Sequence, residues 1–170
     1  MRKHNGMRPQ DIAILLKVLA MGNKPVQLLG LANALHISLS EISESLNRSQ
    51  IAGLIDFSKK RINRLNLFEF LKYGVRYVFP KQPGAMVRGV PTAHSHPCMK
   101  KHIVSEMNYV WPAYNGEVIG LMIEPFYPKQ VESIHDDEVY YKLLALVDVI
   151  RVGKVREVKL ALNELEKYFK

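Results

Sequence analysis

Cysteine is nearly absent from this chain, which carries a single one, Cys98, among its 170 residues. One thiol cannot form an internal disulfide, which agrees with a reducing compartment. Long apolar runs are also missing, since the longest, residues 12–21, contains a lysine and is far shorter than the roughly 20 residues that cross a bilayer. We therefore predict no transmembrane helix and no membrane partner.

The N-terminal segment, MRKHNGMRPQD, has no apolar run before its first acidic residue and no small-residue cleavage site. It therefore lacks the features of a secretion signal. Together with the single cysteine, this predicts a cytoplasmic protein. Because 48% of the residues are hydrophobic, the chain has enough apolar side chains for a folded core, which excludes a disordered protein.

Signatures of catalysis are missing as well. The sequence contains no G-x-x-x-x-G-K-S/T, G-x-G-x-x-G or G-x-S-x-G motif. The acidic run at 136–138 stands where a helix is expected to begin, so helix capping and the helix dipole account for it. The glycine-containing segment 83–91 leads into proline-rich coil and offers no helix N-terminus for a phosphate. The sequence predicts neither an enzyme nor a cofactor.

Positive charge is present in excess, and it is unevenly distributed. The formal net charge is +8, and residues 1–64 carry ten Lys and Arg against four Asp and Glu, whereas residues 65–170 carry fourteen against twelve. A basic surface attracts polyanions and supplies the phosphate contacts that dominate nonspecific nucleic-acid affinity. The charge distribution therefore favours a polyanion-binding surface in the N-terminal third.

Two amphipathic helices are predicted at the start of the chain. Apolar residues recur at the spacing of one helical face in residues 9–21, where Pro9 suits the first turn and Gly22 suits the stop. The same spacing returns in residues 26–36 after a polar break. A connection of four residues then leads to a third helix.

The third helix is predicted at residues 41–52, with Ser38 or Ser40 as its cap. Ile42 and Leu46 are expected to be buried. The opposite surface is expected to present groups that can donate and accept hydrogen bonds to base edges. Its residues are Glu41, Ser43, Glu44, Asn47, Arg48 and Gln50.

A short basic hairpin is predicted after this helix. Residues 53–55 end the helix and begin an extended segment that continues through residues 56–64, DFSKKRINR. Four cations lie within the last six of these residues and would form a basic wing. They are Lys59, Lys60, Arg61 and Arg64.

Residues 31–55, LANALHISLSEISESLNRSQIAGLI, resemble the helix-turn-helix of MarR-like bacterial winged-helix regulators. The usual pattern of that family is LA-x-x-L-x-IS-x-S-x-V/I-S-x-x-L-x-x-L-x-x-x-GLI, and the likeness with its wing covers about one third of the chain. Ser49 departs from the pattern, which has an apolar residue there, and Glu44 and Asn47 stand where the family often has Arg or Lys. The matching residues are Leu31, Ala32, Leu35, Ile37, Ser38, Ser40, Ile42, Ser43, Leu46, Gly53, Leu54 and Ile55.

The resemblance implies a regulator that binds double-stranded DNA as a homodimer. In such proteins the recognition helix enters the major groove and the wing cations contact phosphates, and repression by occlusion is the usual outcome. The DNA-contacting residues implied here are Ser38, Ser40, Glu41, Ser43, Glu44, Asn47, Arg48, Lys59, Lys60, Arg61 and Arg64.

Two alternatives to this function stay open. The winged helix could serve as a protein-binding module, or the chain could be an antitoxin-type operon repressor that acts mainly through a partner protein encoded nearby. A toxin-like neighbouring gene would favour that partner, and a transporter or metabolic gene would favour a ligand-responsive repressor. RNA binding is a third possibility, which a preference for single-stranded RNA over duplex would reveal.

The remaining residues are predicted to combine few strands with two closing helices. Residues 80–112 are rich in proline, glycine and histidine, so regular structure should be sparse there. Gly153 separates the closing helices as a tight turn. The predicted elements are a helix at 67–73, a strand at 75–79, a strand at 117–123, and helices at 136–150 and 154–168.

These elements predict the α+β class. The expected organisation is an N-terminal winged helix-turn-helix followed by a C-terminal strand-plus-two-helix region. In numbers, it comprises a winged-helix DNA-binding domain at 8–80, a proline-rich strand and loop region at 81–135, and a helical hairpin at 136–169.

Two side-chain clusters in the C-terminal part could carry ligand chemistry. The first supplies donors that zinc prefers, but it has no C-x-x-C pair, and Lys100 and Lys101 would repel a cation, so we predict no metal site. The second is aromatic and could line a pocket, although core packing is the favoured interpretation. The first comprises His94, His96, Cys98 and His102, and the second comprises Tyr109, Trp111, Tyr114, Phe126 and Tyr127.

Overall fold

The computed structural model describes residues 6–170 and belongs to the predicted α+β class. Within these residues it contains nine α-helices, one 3₁₀ turn and a small three-stranded sheet. The helices are α1 (Pro9–Ala20), α2 (Leu28–Leu35), α3 (Leu39–Ile51), α4 (Arg64–Tyr73), α5 (Val75–Val78), α6 (Pro97–Lys100), α7 (Gln130–Ser133), α8 (Glu138–Val152) and α9 (Val155–Glu166). The strands are β1 (Met86–Pro91), β2 (Tyr109–Pro112) and β3 (Val118–Met122), and the 3₁₀ turn is Ala93–Ser95.

The three N-terminal helices begin and end at local signals, and their prediction is confirmed. Pro9 is the first residue of α1, and Gly22 follows that helix with a φ of +63°, which glycine adopts at little cost. α2 ends at His36, whose φ is also positive, at 55°. Ser38 caps α3 by accepting a hydrogen bond from the N–H of Glu41 at 3.3 Å.

Residues 54–63 fold back on themselves between α3 and α4, and we call them the basic hairpin. Ile55 and Ile62 form one antiparallel bridge, and the N–H of Asp56 donates to the carbonyl of Arg61 at 2.8 Å. The prediction of a short hairpin is therefore confirmed. Its pairing is brief, because the chain turns again into α4 at residue 64.

The turn of the basic hairpin is organised by the Asp56 carboxylate. It accepts hydrogen bonds from the Ser58 hydroxyl at 2.7 Å and from the N–H groups of Lys60 and Arg61 at 2.9 and 3.0 Å. These bonds, that from Ser58 above all, lower the pKa of Asp56. Lys59 lies in the left-handed region, with a φ of +58°. One acidic residue therefore fixes the loop that presents the cations.

α5 occupies residues that were predicted as a strand at 75–79, and that prediction is wrong. Val75 and Phe79 are both buried and lie four residues apart, which fits one helical face as well as it fits an alternating strand. Gly74 caps the end of α4, but its backbone angles of −117° and −41° remain in the right-handed helical region. The chain therefore passes from α4 directly into α5.

β1 and β2 lie in the segment 80–112, where regular structure was predicted to be sparse, so that prediction is also wrong. β1 pairs antiparallel with both other strands, and β2 pairs with β3 in parallel. Each strand thus contacts both others. Gly89 permits this closure, because a Cβ there would lie 2.0 Å from the carbonyl oxygen of Trp111. The prediction of a strand at 117–123 is confirmed by β3.

α8 is the central helix of the fold, and both closing helices were predicted correctly. It packs against α1, α5 and α9, and all its residues from Leu143 to Arg151 are buried. Buried residues of α1, β2 and α8 belong to a single hydrophobic cluster. Lys17 on α1 donates to the Asp137 carboxylate at 2.6 Å, and this carboxylate also accepts the N–H of Tyr140 to cap α8. The N-terminal helices are therefore joined to the C-terminal half.

Candidate nucleic-acid interface

α3 rests on α1 through apolar contacts and one buried ion pair. Ile42 and Leu46 have no exposed surface. Arg48 donates two hydrogen bonds to the Asp11 carboxylate, from Nε at 2.9 Å and from Nη2 at 2.8 Å. The bond to Asp11 raises the pKa of the Arg48 guanidinium. Because the pair is bidentate and charged, it fixes both the position and the rotation of α3.

Arg48 was predicted to lie on the exposed face of α3, and this prediction is wrong. Its side chain is buried, because Asp11 on α1 has no exposed surface and requires a partner there. A cation on a polar helix face looks like a phosphate contact in the sequence. The fold uses it instead to hold the helix in place.

Glu41 is also turned towards α1 rather than away from the molecule. Its Oε1 accepts hydrogen bonds from Arg48 Nη2 at 2.9 Å, from Arg8 Nη1 at 3.3 Å and from the side-chain amide of Gln10. Three donors therefore occupy a carboxylate that was predicted to contact DNA. Arg8, Gln10 and Asp11 were not among the predicted site residues, and only their packing against α3 reveals their role.

The outward face of α3 carries small polar side chains. Ser40 is exposed, and Ser43, Glu44 and Asn47 are half-buried. Hydroxyl and amide groups can both donate and accept hydrogen bonds. Ser38 is exposed too, although its hydroxyl is engaged as the cap of α3. The sequence predicted the composition of this face correctly, except for Arg48 and the orientation of Glu41.

The basic hairpin meets this face through Lys59. The Lys59 ammonium donates to the side-chain oxygen of Asn47, which lies on α3. Lys60 and Arg61 are exposed beside it, and Phe57 at the turn is 90% exposed. The structure therefore brings the hairpin cations next to the polar face of α3, through two residues that are twelve positions apart in the sequence.

Arg64 lies apart from the hairpin turn. It is the first residue of α4, and its Nη1 donates to the main-chain oxygen of Tyr168 at 2.7 Å. The prediction that Arg64 belongs to the hairpin is therefore wrong. The cause is the early start of α4, which was predicted to begin at residue 67 and begins at residue 64.

The sequence candidates for metal binding do not converge. His94 Nε2 lies 2.8 Å from the carbonyl of Met107, His96 Nδ1 lies 3.0 Å from Cys98 Sγ, and His102 is exposed. Burial lowers the pKa of His96 to about 4 and raises the pKa of Cys98 to about 11, so the imidazole is neutral and the thiol protonated at neutral pH. Among residues 6–170, no three His, Cys, Asp or Glu side chains are grouped to hold a metal ion.

The aromatic cluster is largely core. Trp111, Phe126 and Tyr127 are buried, whereas Tyr114 is fully exposed. The indole N–H of Trp111 donates to the Asp148 carboxylate at 2.7 Å. Core packing, the favoured interpretation of these aromatics, therefore holds for those three.

Comparison with known protein families, characterised proteins and solved structures finds no match to this chain. In the described part of the chain, no helix combines the length and apolarity needed to span a membrane.

Proposed function

We propose that this protein binds double-stranded DNA as a sequence-specific transcriptional regulator. The contact between the Lys59 ammonium and the Asn47 side chain carries the proposal. It places the cations of the basic hairpin beside the polar face of α3, so that groups suited to phosphates and groups suited to base edges share one side of the molecule. The order of α1, α2, α3 and the hairpin is that of a winged helix-turn-helix, which we propose as the architecture.

α3 has suitable dimensions and chemistry for the major groove. Its 13 residues make a helix of about 20 Å, and the major groove is about 12 Å wide, enough to admit an α-helix. Ser43 and Asn47 on its outward face can read base edges, and Asn is suited to a bidentate contact with adenine. Lys59, Lys60 and Arg61 would contact phosphates and set the register.

The packing of α3 supports this role. A helix that discriminates bases must be held firmly, because small displacements change hydrogen-bond lengths. The Asp11–Arg48 pair and the buried Ile42 and Leu46 hold α3 on α1. Its recognition surface is therefore presented by a fixed element.

We propose that two copies bind a pseudo-palindromic site and that repression results from occlusion of the promoter. Two recognition helices on successive half-sites would be separated by about 34 Å, one turn of DNA. The two-fold symmetry of such a site matches that of a homodimer.

The first test is a mobility shift of the purified full chain on DNA from its own upstream region and on scrambled duplex, at two salt concentrations. A specific and salt-sensitive shift is expected. The triple variant Lys59→Ala, Lys60→Ala, Arg61→Ala should weaken binding to all duplexes and reduce the slope of log affinity against log salt by about one unit for each phosphate that the variant no longer neutralises.

The matched control is the triple variant Lys100→Ala, Lys101→Ala, Lys129→Ala, which removes the same charge from exposed residues outside the interface. It should leave the salt slope close to that of the unaltered chain. A similar drop in both triple variants would show that net charge alone is responsible, and equal affinity for both duplexes would contradict specific binding.

Asn47→Ala tests base reading separately. It should change the ranking of related DNA sites, because a bidentate pair between a side chain and a base contributes about 1–3 kcal/mol of discrimination at one base pair. Competition among single-base variants of the preferred site measures this. Equal reductions in affinity on every sequence would mean that Asn47 binds only the backbone.

Protein binding is a second candidate function, and exposed apolar residues favour it. Tyr77 and Val155 are 78% and 86% exposed, and Phe68, Val158 and Leu162 line a groove between α4 and α9. Light scattering of the full chain, with and without the product of a neighbouring gene, distinguishes a homodimer from a heteromeric complex. A monomer under both conditions would contradict both assemblies.

A further inference from the structure

A cleft of about 820 Å³ lies between the loop that follows α1 and the basic hairpin, and we call it the basic cleft. This size falls within the range of about 300–1,000 Å³ that is typical of small-ligand sites. Its lining residues are Val18, Leu19, Gly22, Asn23, Lys24, Pro25, Val26, Gln27, Lys60, Arg61, Ile62 and Arg64.

The charge of the basic cleft has one sign. Four cations line it, namely Lys24, Lys60, Arg61 and Arg64, and no acidic residue does. The ammonium groups of Lys24 and Lys60 make no hydrogen bond or ion pair with any residue in the described range 6–170. Both charges are therefore available to an anion.

The rest of the lining is largely apolar. Val18 and Leu19 are 4% and 6% exposed, and Val26 and Ile62 are half-buried. Val26 and Ile62 keep exposed surface that a ligand could cover, which would contribute about 25 cal/mol for each Å² of apolar surface removed from water. A bare anion would use the cations and leave this surface uncovered.

The basic cleft is open because its two walls do not pair. Within the described residues, no main-chain hydrogen bond connects residues 22–27 to residues 60–64. Pro25 has no N–H to donate, and the hairpin pairs only through its Ile55–Ile62 bridge. The space therefore lies between two irregular segments that share no main-chain hydrogen bond.

We propose that the basic cleft binds a small organic anion with an apolar body and a carboxylate or phosphate head. Lys24 and Lys60 would contact the head, and the apolar lining would cover the body. A nucleic-acid backbone has no apolar body to match Val26 and Ile62, so a small amphipathic anion fits the lining better than a strand does. Binding at this site does not require the protein to bind DNA.

Occupancy of the basic cleft would affect DNA binding, a consequence that rests on the proposed function. Lys60 and Arg61 belong both to the cleft and to the proposed phosphate-contacting surface. A bound anion would compete with phosphates for these cations. The ligand test below uses protein without nucleic acid, so its failure is distinguishable from failure of the proposed function.

The test is a titration of the isotope-labelled full chain, followed by methyl and amide NMR, with four probes below their aggregation concentrations. The probes are octanoate, octyl phosphate, protonated octylamine and inorganic phosphate. Octanoate or octyl phosphate, or both, should give saturable shifts at Val18, Leu19, Val26 and Ile62, and the stronger of the two identifies the head group. Octylamine should bind at least about tenfold more weakly, since its charge would be repelled.

The variant Lys24→Gln provides a second test, because Lys24 lines the basic cleft but lies outside the proposed DNA-binding surface. It should weaken binding of the better anion by about threefold to tenfold, the effect of one charge-assisted hydrogen bond. Lys101→Gln, an exposed lysine outside the cleft, should leave that affinity unchanged. Equal binding of octylamine, shifts spread away from the cleft, or shifts produced equally by inorganic phosphate would overturn the proposal.

Discussion

Each half of the molecule contains a buried aspartate–arginine pair, and the two pairs are built differently. Asp11 and Arg48 lie on separate helices and are joined by two short hydrogen bonds. Asp148 and Arg151 lie one turn apart on α8, and their Nε–Oδ1 distance is 3.6 Å, which is too long for a hydrogen bond.

The Asp148 carboxylate depends on neutral donors instead. Its Oδ2 accepts from the Trp111 indole N–H at 2.7 Å and from the Thr92 hydroxyl at 2.8 Å. Burial raises the pKa of Asp148, although the Arg151 charge and these hydrogen bonds act in the opposite direction. This carboxylate therefore joins the sheet region to α8 more than it pairs with its cation.

Arg151 is the less satisfied partner. It donates one hydrogen bond to the carbonyl of Glu124 at 3.2 Å and lies over the Phe126 ring, at 4.3 Å from the centroid. Its Nε and Nη1 are buried and make no hydrogen bond in the described structure. Burial lowers the pKa of Arg151, whereas the bond to Asp11 raises that of Arg48. The comparison teaches that hydrogen-bond geometry, not the identity of the two residues, decides whether a buried pair stabilises.

The largest expected effect follows from removing the arginine of each pair. Arg48→Met should lower the free energy of unfolding by about 3–5 kcal/mol, because it leaves the buried Asp11 without its cation. Arg151→Met should lower it by about 1 kcal/mol, because Asp148 keeps two neutral donors and methionine can pack on Phe126. Urea unfolding measures both. Equal decreases in the two variants would remove the distinction between the pairs.

A pH series tests the raised pKa of Asp148. A carboxyl whose folded pKa exceeds its unfolded value of about 3.9 binds more protons when folded, so its contribution to stability is full below about pH 4 and is lost as pH rises through the folded pKa. Asp148→Asn removes this titration. The variant should therefore gain stability relative to the unaltered chain between about pH 4 and pH 7, measured by urea unfolding at each pH. A constant difference across that range would argue against a raised pKa.

The smallest expected effect concerns Glu41, the outer partner of Arg48. Glu41→Gln should reduce the free energy of unfolding by less than about 1 kcal/mol, because the carboxylate is partly exposed and Arg48 keeps Asp11. It should also tighten binding to DNA of any sequence, since it removes a negative charge from the proposed interface. Glu69→Gln, an exposed change on α4, is the control. If Glu41→Gln lowered the free energy of unfolding as much as Arg48→Met does, the Asp11–Arg48 pair would not be the main stabilising contact of Arg48.

Local periodicity determined most helices from the sequence alone. α1, α3, α8 and α9 have apolar residues at helical spacing and clear capping or stop residues, so each could be predicted without knowledge of its neighbours. The basic hairpin was equally predictable, because its cations follow the end of α3 without a break. The polar composition of the outward α3 face was also evident.

Other features depended on residues that are distant in the chain. The spacing of Val75 and Phe79 fits a strand or a helix. A strand would place Tyr77 on the same face as both, but Tyr77 is 78% exposed while they are buried, which fits α5. β1 and β2 end in Pro91 and Pro112, so their segment looks irregular in the sequence, and only the pairing among the three strands makes it regular.

The sequence by itself thus determined where the longer helices form and where positive charge collects, since both depend on neighbouring residues. Only the tertiary structure decided which charges face water. Arg48 turned inward because Asp11, 37 positions away, was buried on α1, whereas Lys24 joined the hairpin cations at the basic cleft because two distant segments became its walls. The physical reason is that burial and ion pairing are properties of groups brought together by packing, which spacing along one helix cannot specify.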